Sequence, residues 1–168
     1  ADSNYTILIT GSNAKMLSGE INTTLGGRFL TSEIYPYSFK EYLDAHRIPW
    51  DENDIISTEG RAKVVRCFDE YLHYGGLPAS AMMPAKRDYL SSVYQKIYMG
   101  DIIARNNITN VAGIRILVRK MAESVCRPIS YNRVNNLLSS VGGKLSLATT
   151  IKYVEYCENA WLLMRVRN

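Results

Sequence analysis

The sequence predicts a mainly α-helical protein with a small α/β portion at its N-terminus and a winged-helix-like module at its C-terminus. Two strand-like runs flank a helical stretch within the first 36 residues. Apolar residues between positions 38 and 110 then recur at helical spacing. Three further helical patterns and a last strand-like run fill residues 111–168, which is the element order of a winged helix.

The first 36 residues show a strand, a helix and a second strand in succession. Residues 5–10 are apolar and β-branched, as in a strand that is buried on both faces of a parallel sheet. A helix is expected over about 14–25, where Gly26 and Gly27 close it. Residues 29–35 have strand propensity up to Pro36. Short joints between these elements predict a parallel crossover.

The middle of the chain contains helical patterns only. Ser38 and Glu41 form the sequence signature of a capping box, so a helix should run from there to about Ala45. A loop follows over residues 47–57. Apolar side chains on one helix face then predict two more helices, the second over about 86–103. These side chains are Val64, Val65, Phe68, Tyr71, Leu72, Tyr89, Leu90, Val93, Tyr94, Ile97 and Tyr98.

The last third of the chain predicts three helices followed by a strand. A strong helical pattern starts after Val111 and is broken at Pro128. Ser130 can cap a second helix, and a third is expected over about 147–158. Residues 160–166 favour a strand, which would form the first strand of the wing.

Charge is unevenly distributed along the chain. Residues 1–84 carry 7 Lys and Arg against 11 Asp and Glu, whereas residues 85–168 carry 13 against 5. A basic half can bind nucleic acid, but it can equally be a solvated face or face an acidic partner half.

Cysteine and histidine usage indicates no metal site. Cys67, Cys126 and Cys157 lie far apart and form no C-x-x-C pair, and neither His46 nor His73 has another ligand at metal-binding spacing. Three reduced thiols are expected in a cytoplasmic protein. No apolar run approaches the roughly 20 residues that span a bilayer, so no membrane partner is expected.

The chain lacks a complete phosphate-binding loop. A Walker A loop requires G-x-x-x-x-G-K-[ST] after a strand, because its backbone amides hold the phosphates. Residues 10–16 lack the second glycine and the hydroxyl residue, and residues 142–145 follow no strand. No pair of acids ends an apolar strand, so a Walker B motif is absent too. This chain alone is expected neither to bind nor to hydrolyse ATP well.

Three residues near the N-terminus are candidates for phosphate contact. Ser12 and Asn13 follow the first predicted strand, at the edge where parallel sheets bind ligands. An ordinary turn would also favour them. Arg28 can stabilise charge on a transferring phosphoryl group, or it can simply complement a helix C-terminus.

The third helix of the C-terminal module is a candidate nucleic-acid interface. Its N-terminal half carries Thr149, Thr150, Lys152 and Tyr153, which suit phosphate and groove contacts. It offers no Arg or Asn cluster for base edges, and a protein-packing role is the alternative.

Seven short motifs follow one another along nearly the whole chain. They are ILITGSNAK, LGGRF, PYSFKEY, YLHYGGLP, YMGDIIAR, ISYNR and TTIKY, at residues 7–15, 25–29, 36–42, 71–78, 98–105, 129–133 and 149–153. None is specific alone, but in their order and spacing they resemble a family of prokaryotic AAA-type P-loop ATPases with a poorly characterised C-terminal domain that contains a winged helix.

The resemblance implies a division of the chain. Residues 1–36 would be the distal remnant of the ATPase core, holding the last strand–helix–strand of a P-loop parallel sheet. Residues 37–110 would be a helical lid or linker, and residues 111–168 a truncated winged helix. The Walker A and B segments would lie outside this sequence.

The resemblance also implies roles for the phosphate candidates. Ser12 and Asn13 would occupy the sensor-1 position, and Arg28 the place of an arginine finger. ATP and Mg²⁺ would bind in the parent protein. The chain would sense nucleotide state and relay it to the winged helix. The alternatives are a DNA-binding module and a helical protein-interaction module, and an open sheet edge could drive homodimers.

Overall fold

The computed structural model describes residues 6–11, 26, 28–51, 55–125, 127–143 and 145–166. This part of the chain is mainly helical, as the sequence predicts, and contains no β-strand. Its elements are α1 (Phe39–Ala45), α2 (Thr58–Tyr74), α3 (Pro78–Met82), α4 (Lys86–Gln95), a π-helix (Lys96–Ala104), α5 (Val111–Glu123), α6 (Tyr131–Ser140) and α7 (Leu147–Asn159). The described residues divide into two compact units: one lies within residues 30–94, and the other lies within residues 1–29 and 95–168.

Helix α1 begins at the predicted capping box. The Glu41 amide donates to Ser38 Oγ at 3.3 Å, and Glu41 Oε2 accepts from the Ser38 amide at 2.8 Å. Two of the amides that lack intrahelical partners are thereby satisfied. Tyr42 and Leu43 are the buried residues of this helix, and Tyr42 packs on Tyr71 of α2 with ring centroids 5.4 Å apart.

A close backbone approach joins the segment before α1 to the end of α2. The Tyr37 amide donates to the Gly76 carbonyl at 2.8 Å, and the Tyr71 hydroxyl donates to the Tyr37 carbonyl at 2.8 Å. A Cβ at Gly76 would lie 2.1 Å from that carbonyl oxygen. Only glycine therefore fits this position without moving the backbone.

The predicted long helix over 86–103 changes type partway along. Helix α4 ends at Gln95, and the π-helix then runs over Lys96–Ala104. A π-helix has hydrogen bonds between residues five apart. Here the Arg105 amide donates to the Gly100 carbonyl at 3.2 Å. Asp101 and Arg105, four residues apart in the chain, form an ion pair with Oδ1 and Nη2 3.3 Å apart.

The unit that contains the C-terminal residues is built around α5, α6 and α7, which pack on one another. Leu117 of α5, Leu138 of α6 and Cys157 of α7 are completely buried. The π-helix contributes Tyr98 and Ile102 to the same apolar cluster. Three predicted helices are thus confirmed, with Ser130 capping α6 through the Arg133 amide at 3.2 Å.

The three predicted strands are not confirmed. The described residues of the segments 5–10 and 29–35 are irregular and make no backbone ladder with other described residues. A strand exists only through pairing, so local propensity is not sufficient. The P-loop sheet and the wing are therefore not confirmed either.

The third predicted strand, over residues 160–166, begins as the C-terminal end of α7. Trp161 has a φ of 57°, and the Leu162 amide donates to the Cys157 carbonyl at 2.9 Å. The Trp161 amide donates to the Glu158 carbonyl at 3.0 Å. This pair of bonds is a Schellman motif, which satisfies carbonyls at the helix end. The first apolar residues of the predicted strand therefore close a helix.

Candidate functional site

The predicted phosphate contacts are only partly within the described residues. Ser12, Asn13 and the helix expected over 14–25 lie outside them. Arg28 is described and exposed, and it forms no ion pair with any described carboxylate. Gly26, two residues earlier, has a φ of 57°, which glycine adopts without strain. The Arg28 guanidinium is therefore accessible to an anion.

The segment before Ser12 exposes an apolar run. The side chains of Ile7, Leu8 and Ile9 are 80%, 91% and 57% exposed. Consecutive large apolar side chains in water are unfavourable by roughly 25 cal/mol per Å² of exposed apolar surface. Such a run is typical of a surface that another part of a protein covers.

The N-terminus of α7 holds two of the four predicted nucleic-acid contacts at or near the surface. Ser146 caps the helix by accepting from the Thr149 amide at 3.1 Å, and the two hydroxyls lie 2.8 Å apart. Thr149 is half-buried and its hydroxyl is engaged in this cap. Lys152 is exposed and forms no ion pair with a described carboxylate.

The other two predicted contacts are buried. Thr150 is completely inaccessible, and its hydroxyl donates to Oδ1 of Asn135 on α6 at 2.8 Å. Tyr153 is 8% exposed and belongs to the apolar cluster. Neither side chain presents a surface to a nucleic acid. Thr150 instead connects α7 to α6 through a polar bond inside the helical unit.

Removing the Thr150 hydroxyl should destabilise this unit. We expect Thr150→Val to lower the free energy of unfolding by about 1–2 kcal/mol, because a polar atom of Asn135 loses its partner. Urea denaturation followed by circular dichroism measures this value. Thr149→Val is the matched control on the same helix: it keeps the backbone amide that Ser146 caps and removes only a hydroxyl contact at the surface, so we expect a loss below about 0.5 kcal/mol. Equal losses for the two variants would contradict the role given to Thr150.

A cluster around Lys86 was not predicted from the sequence. The Lys86 ammonium pairs with the Glu70 carboxylate, and its side chain is only 13% exposed. It lies 3.5 Å from the Tyr42 hydroxyl and over the rings of Tyr42 and Tyr74, at 6.0 and 5.8 Å. Helices α1, α2 and α4 each supply a member of this cluster.

The Lys86 ammonium stays charged in this setting. Burial lowers the pKa of Lys86, but hydrogen bonds to Glu70 and Tyr42 outweigh burial and leave the pKa raised. A protonated amine is no nucleophile, so the cluster links helices and carries no covalent chemistry. Glu70 and Lys86 are 16 residues apart. No local pattern could have connected them.

A second unpredicted contact fixes the chain after α7. Nε and Nη2 of Arg165 donate to the two carboxylate oxygens of Glu158 at 2.9 and 3.0 Å. The guanidinium also bonds the hydroxyl of Tyr131, the first residue of α6, and lies over its ring at 5.5 Å. This bidentate pair ties the segment to both helices.

Two further classes of site find no support in the described residues. No group of three or more His, Cys, Asp or Glu side chains could hold a metal ion there. None of the described helices is long and apolar enough to cross a membrane.

Comparison with known proteins gives two family matches. A model described as an AAA domain matches residues 1–43. A second, described as a domain of unknown function (DUF8612), matches residues 65–168, more than half of the chain.

Two curated relatives match along almost the whole chain. An uncharacterized protein of Haemophilus influenzae is 32% identical over 98% of this chain and 39% of its own length. An uncharacterized protein of Methanocaldococcus jannaschii is 31% identical over 99% of this chain and 38% of its own length. The chain thus spans well under half the length of both relatives. No solved structure matches it. By the match that covers most of its residues, the chain belongs to the DUF8612 family.

Proposed function

We propose that the chain is part of an AAA-type protein that binds and hydrolyses ATP, in which it senses the nucleotide and relays its state to the C-terminal helices. The observation that carries this proposal is the match of an AAA domain to residues 1–43. The two relatives, each more than twice as long as the matched region, leave room for a complete nucleotide-binding core.

The exposed apolar run at residues 7–9 supports the proposal. Its three side chains are largely in water in this chain. A buried strand in a parallel sheet is apolar on both faces, as this run is. In the complete protein the run would pair with other strands in the sheet of the nucleotide-binding core.

The accessible guanidinium of Arg28 fits a phosphate. It is exposed and unpaired among the described residues, and an arginine fork matches two phosphate oxygens. Ser12 and Asn13 would contact the terminal phosphate from the end of the first segment. The ATP-bound Mg²⁺ would neutralise developing charge on the phosphates, and the Walker segments of the complete protein would hold it.

The three helices α5, α6 and α7 would form the output of the sensor. They share one buried cluster, and the Thr150–Asn135 bond and the Arg165 contacts also join α6 to α7. A unit joined in this way transmits a displacement as a whole. We propose that α5, α6 and α7 are the three helices of the winged helix and that residues after α7 form its wing. Duplex DNA is less well supported as the partner, since Thr150 and Tyr153 are buried.

Nucleotide turnover by the full-length protein tests the proposal. We expect Mg²⁺-dependent release of phosphate from ATP, abolished by EDTA, and saturable binding of a fluorescent ATP analogue. Asn13→Ala in the same protein should retain binding and slow turnover, because a sensor residue acts on the terminal phosphate. The present chain, lacking Walker A, should show neither activity. Full-length protein that neither binds nor hydrolyses ATP at millimolar nucleotide would overturn the proposal.

A further inference from the structure

Helix α2 has an apolar face that the described residues cover only in part. None of its residues is buried, although Cys67, Tyr71 and Tyr74 on one side are partly covered. On the other side, Val65, Phe68 and Leu72 are 52%, 43% and 64% exposed. We name these three residues the α2 stripe.

The α2 stripe has the spacing of a helix-pairing seam. Its members lie at positions i, i+3 and i+7, which are the a, d and a positions of a heptad. Phe68 meets Phe39 edge to face at 5.0 Å and keeps its remaining surface in water. The stripe thus offers the apolar contacts that a second helix needs.

Two opposite charges accompany the stripe. Arg61 lies one turn before Val65 on the same face, and Asp69 lies directly after Phe68 beside the stripe. Both side chains are exposed, and neither forms an ion pair with a described residue. The face is therefore positive at its start and negative towards its end.

This arrangement complements itself only in an antiparallel pair. With Val65 of one copy opposite Phe68 of the other, Arg61 comes opposite Leu72 of the other copy. Arg61 of the first copy is then within one helical turn of Asp69 in the second copy. In a parallel pair, Arg61 would instead face Arg61 of the other copy and Asp69 would face Asp69, and these like charges would repel each other. The charges thus match a second copy of this chain.

We propose that α2 is a self-association surface, on which the α2 stripes of two copies pack antiparallel, with an Arg61–Asp69 pair at each end. The interface is isologous, because each residue pair occurs twice about a two-fold axis. The dimer interface buries the three exposed apolar side chains of each copy and pairs two charges that have no ion-pair partner among the described residues. It does not depend on nucleotide or on the proposed ATPase function.

Sedimentation equilibrium of the 168-residue chain over a wide concentration range tests the proposal. We expect a reversible monomer–dimer equilibrium that Leu72→Glu abolishes. Arg61→Asp and Asp69→Arg should each weaken the dimer about tenfold, since each places like charges at both ends. The double variant Arg61→Asp with Asp69→Arg restores opposite charges and should return the dissociation constant to near the original value.

Matched controls separate association from folding. Lys63 lies on the side of α2 opposite the stripe, where it pairs with Glu59 at 2.8 Å, so Lys63→Asp should leave the dimer unchanged. Circular dichroism melts confirm that each variant is folded. A chain that is monomeric at every concentration would overturn the proposal and point to a different protein on the stripe. A double variant as weak as the single ones would also overturn it.

Discussion

Replacing Arg28 with alanine in the full-length protein should lower ATP turnover at least tenfold. The guanidinium is exposed and has no carboxylate partner among the described residues, so its charge is available to a transferring phosphoryl group. Arginines in this role contribute about 10³ or more to the rate constant. Steady-state phosphate release at saturating ATP measures the loss directly.

Two companion variants make the Arg28 result specific. Arg28→Lys keeps the positive charge but loses the bidentate guanidinium, so its turnover should be intermediate between that of the wild type and that of Arg28→Ala. Arg87→Ala removes another exposed arginine and should leave turnover unchanged. Turnover of Arg28→Ala within twofold of wild type would exclude this role, while ATP binding and basal hydrolysis would still support the ATPase proposal.

Alkaline pH should destabilise the chain through Cys157. This thiol is completely buried in α7, and burial, with a smaller effect of Glu158, raises its pKa from the ordinary 9.0 to about 12. The native state therefore holds the thiol proton more tightly than the unfolded state. The resulting stabilisation is complete below pH 9 and is lost as the pH rises towards 12.

The comparison with Cys157→Ala isolates this effect. Tyrosines and lysines also titrate in the same range, but they are common to both proteins and cancel in the difference. Between pH 9 and pH 12, the unfolding free energy of the wild type should fall relative to the variant by roughly 3–5 kcal/mol. Chemical denaturation at several pH values measures both curves. Parallel curves would contradict a raised pKa of the Cys157 thiol.

Helix starts were predictable because their signals are local. Ser38 and Glu41 are three residues apart and satisfy each other's backbone, and Ser130 caps α6 by accepting from the Arg133 amide three residues later. The spacing of apolar residues also predicted α2, α5 and α7. A capping bond or a helix face involves neighbours within about one turn, and the sequence displays those neighbours directly.

Which side of a helix is buried was less predictable. Thr150 and Tyr153 were candidates for a surface role, yet both face the helical cluster. A hydroxyl or phenol is compatible with either side, because one hydrogen bond satisfies it in the interior. The partner of Thr150 is Asn135, 15 residues away, and no local pattern reveals it.

The sequence by itself determined the mainly helical character of the chain, the positions of its caps and the lack of a complete phosphate loop in it. Tertiary structure alone decided the Lys86 cluster, the burial of Thr150 and the exposure of the α2 stripe. Strand formation belongs with this second group, because a strand needs a partner that propensity does not supply. The physical reason is range: helices close their bonds within four residues, whereas burial, ion pairs and sheets depend on residues far apart in the chain.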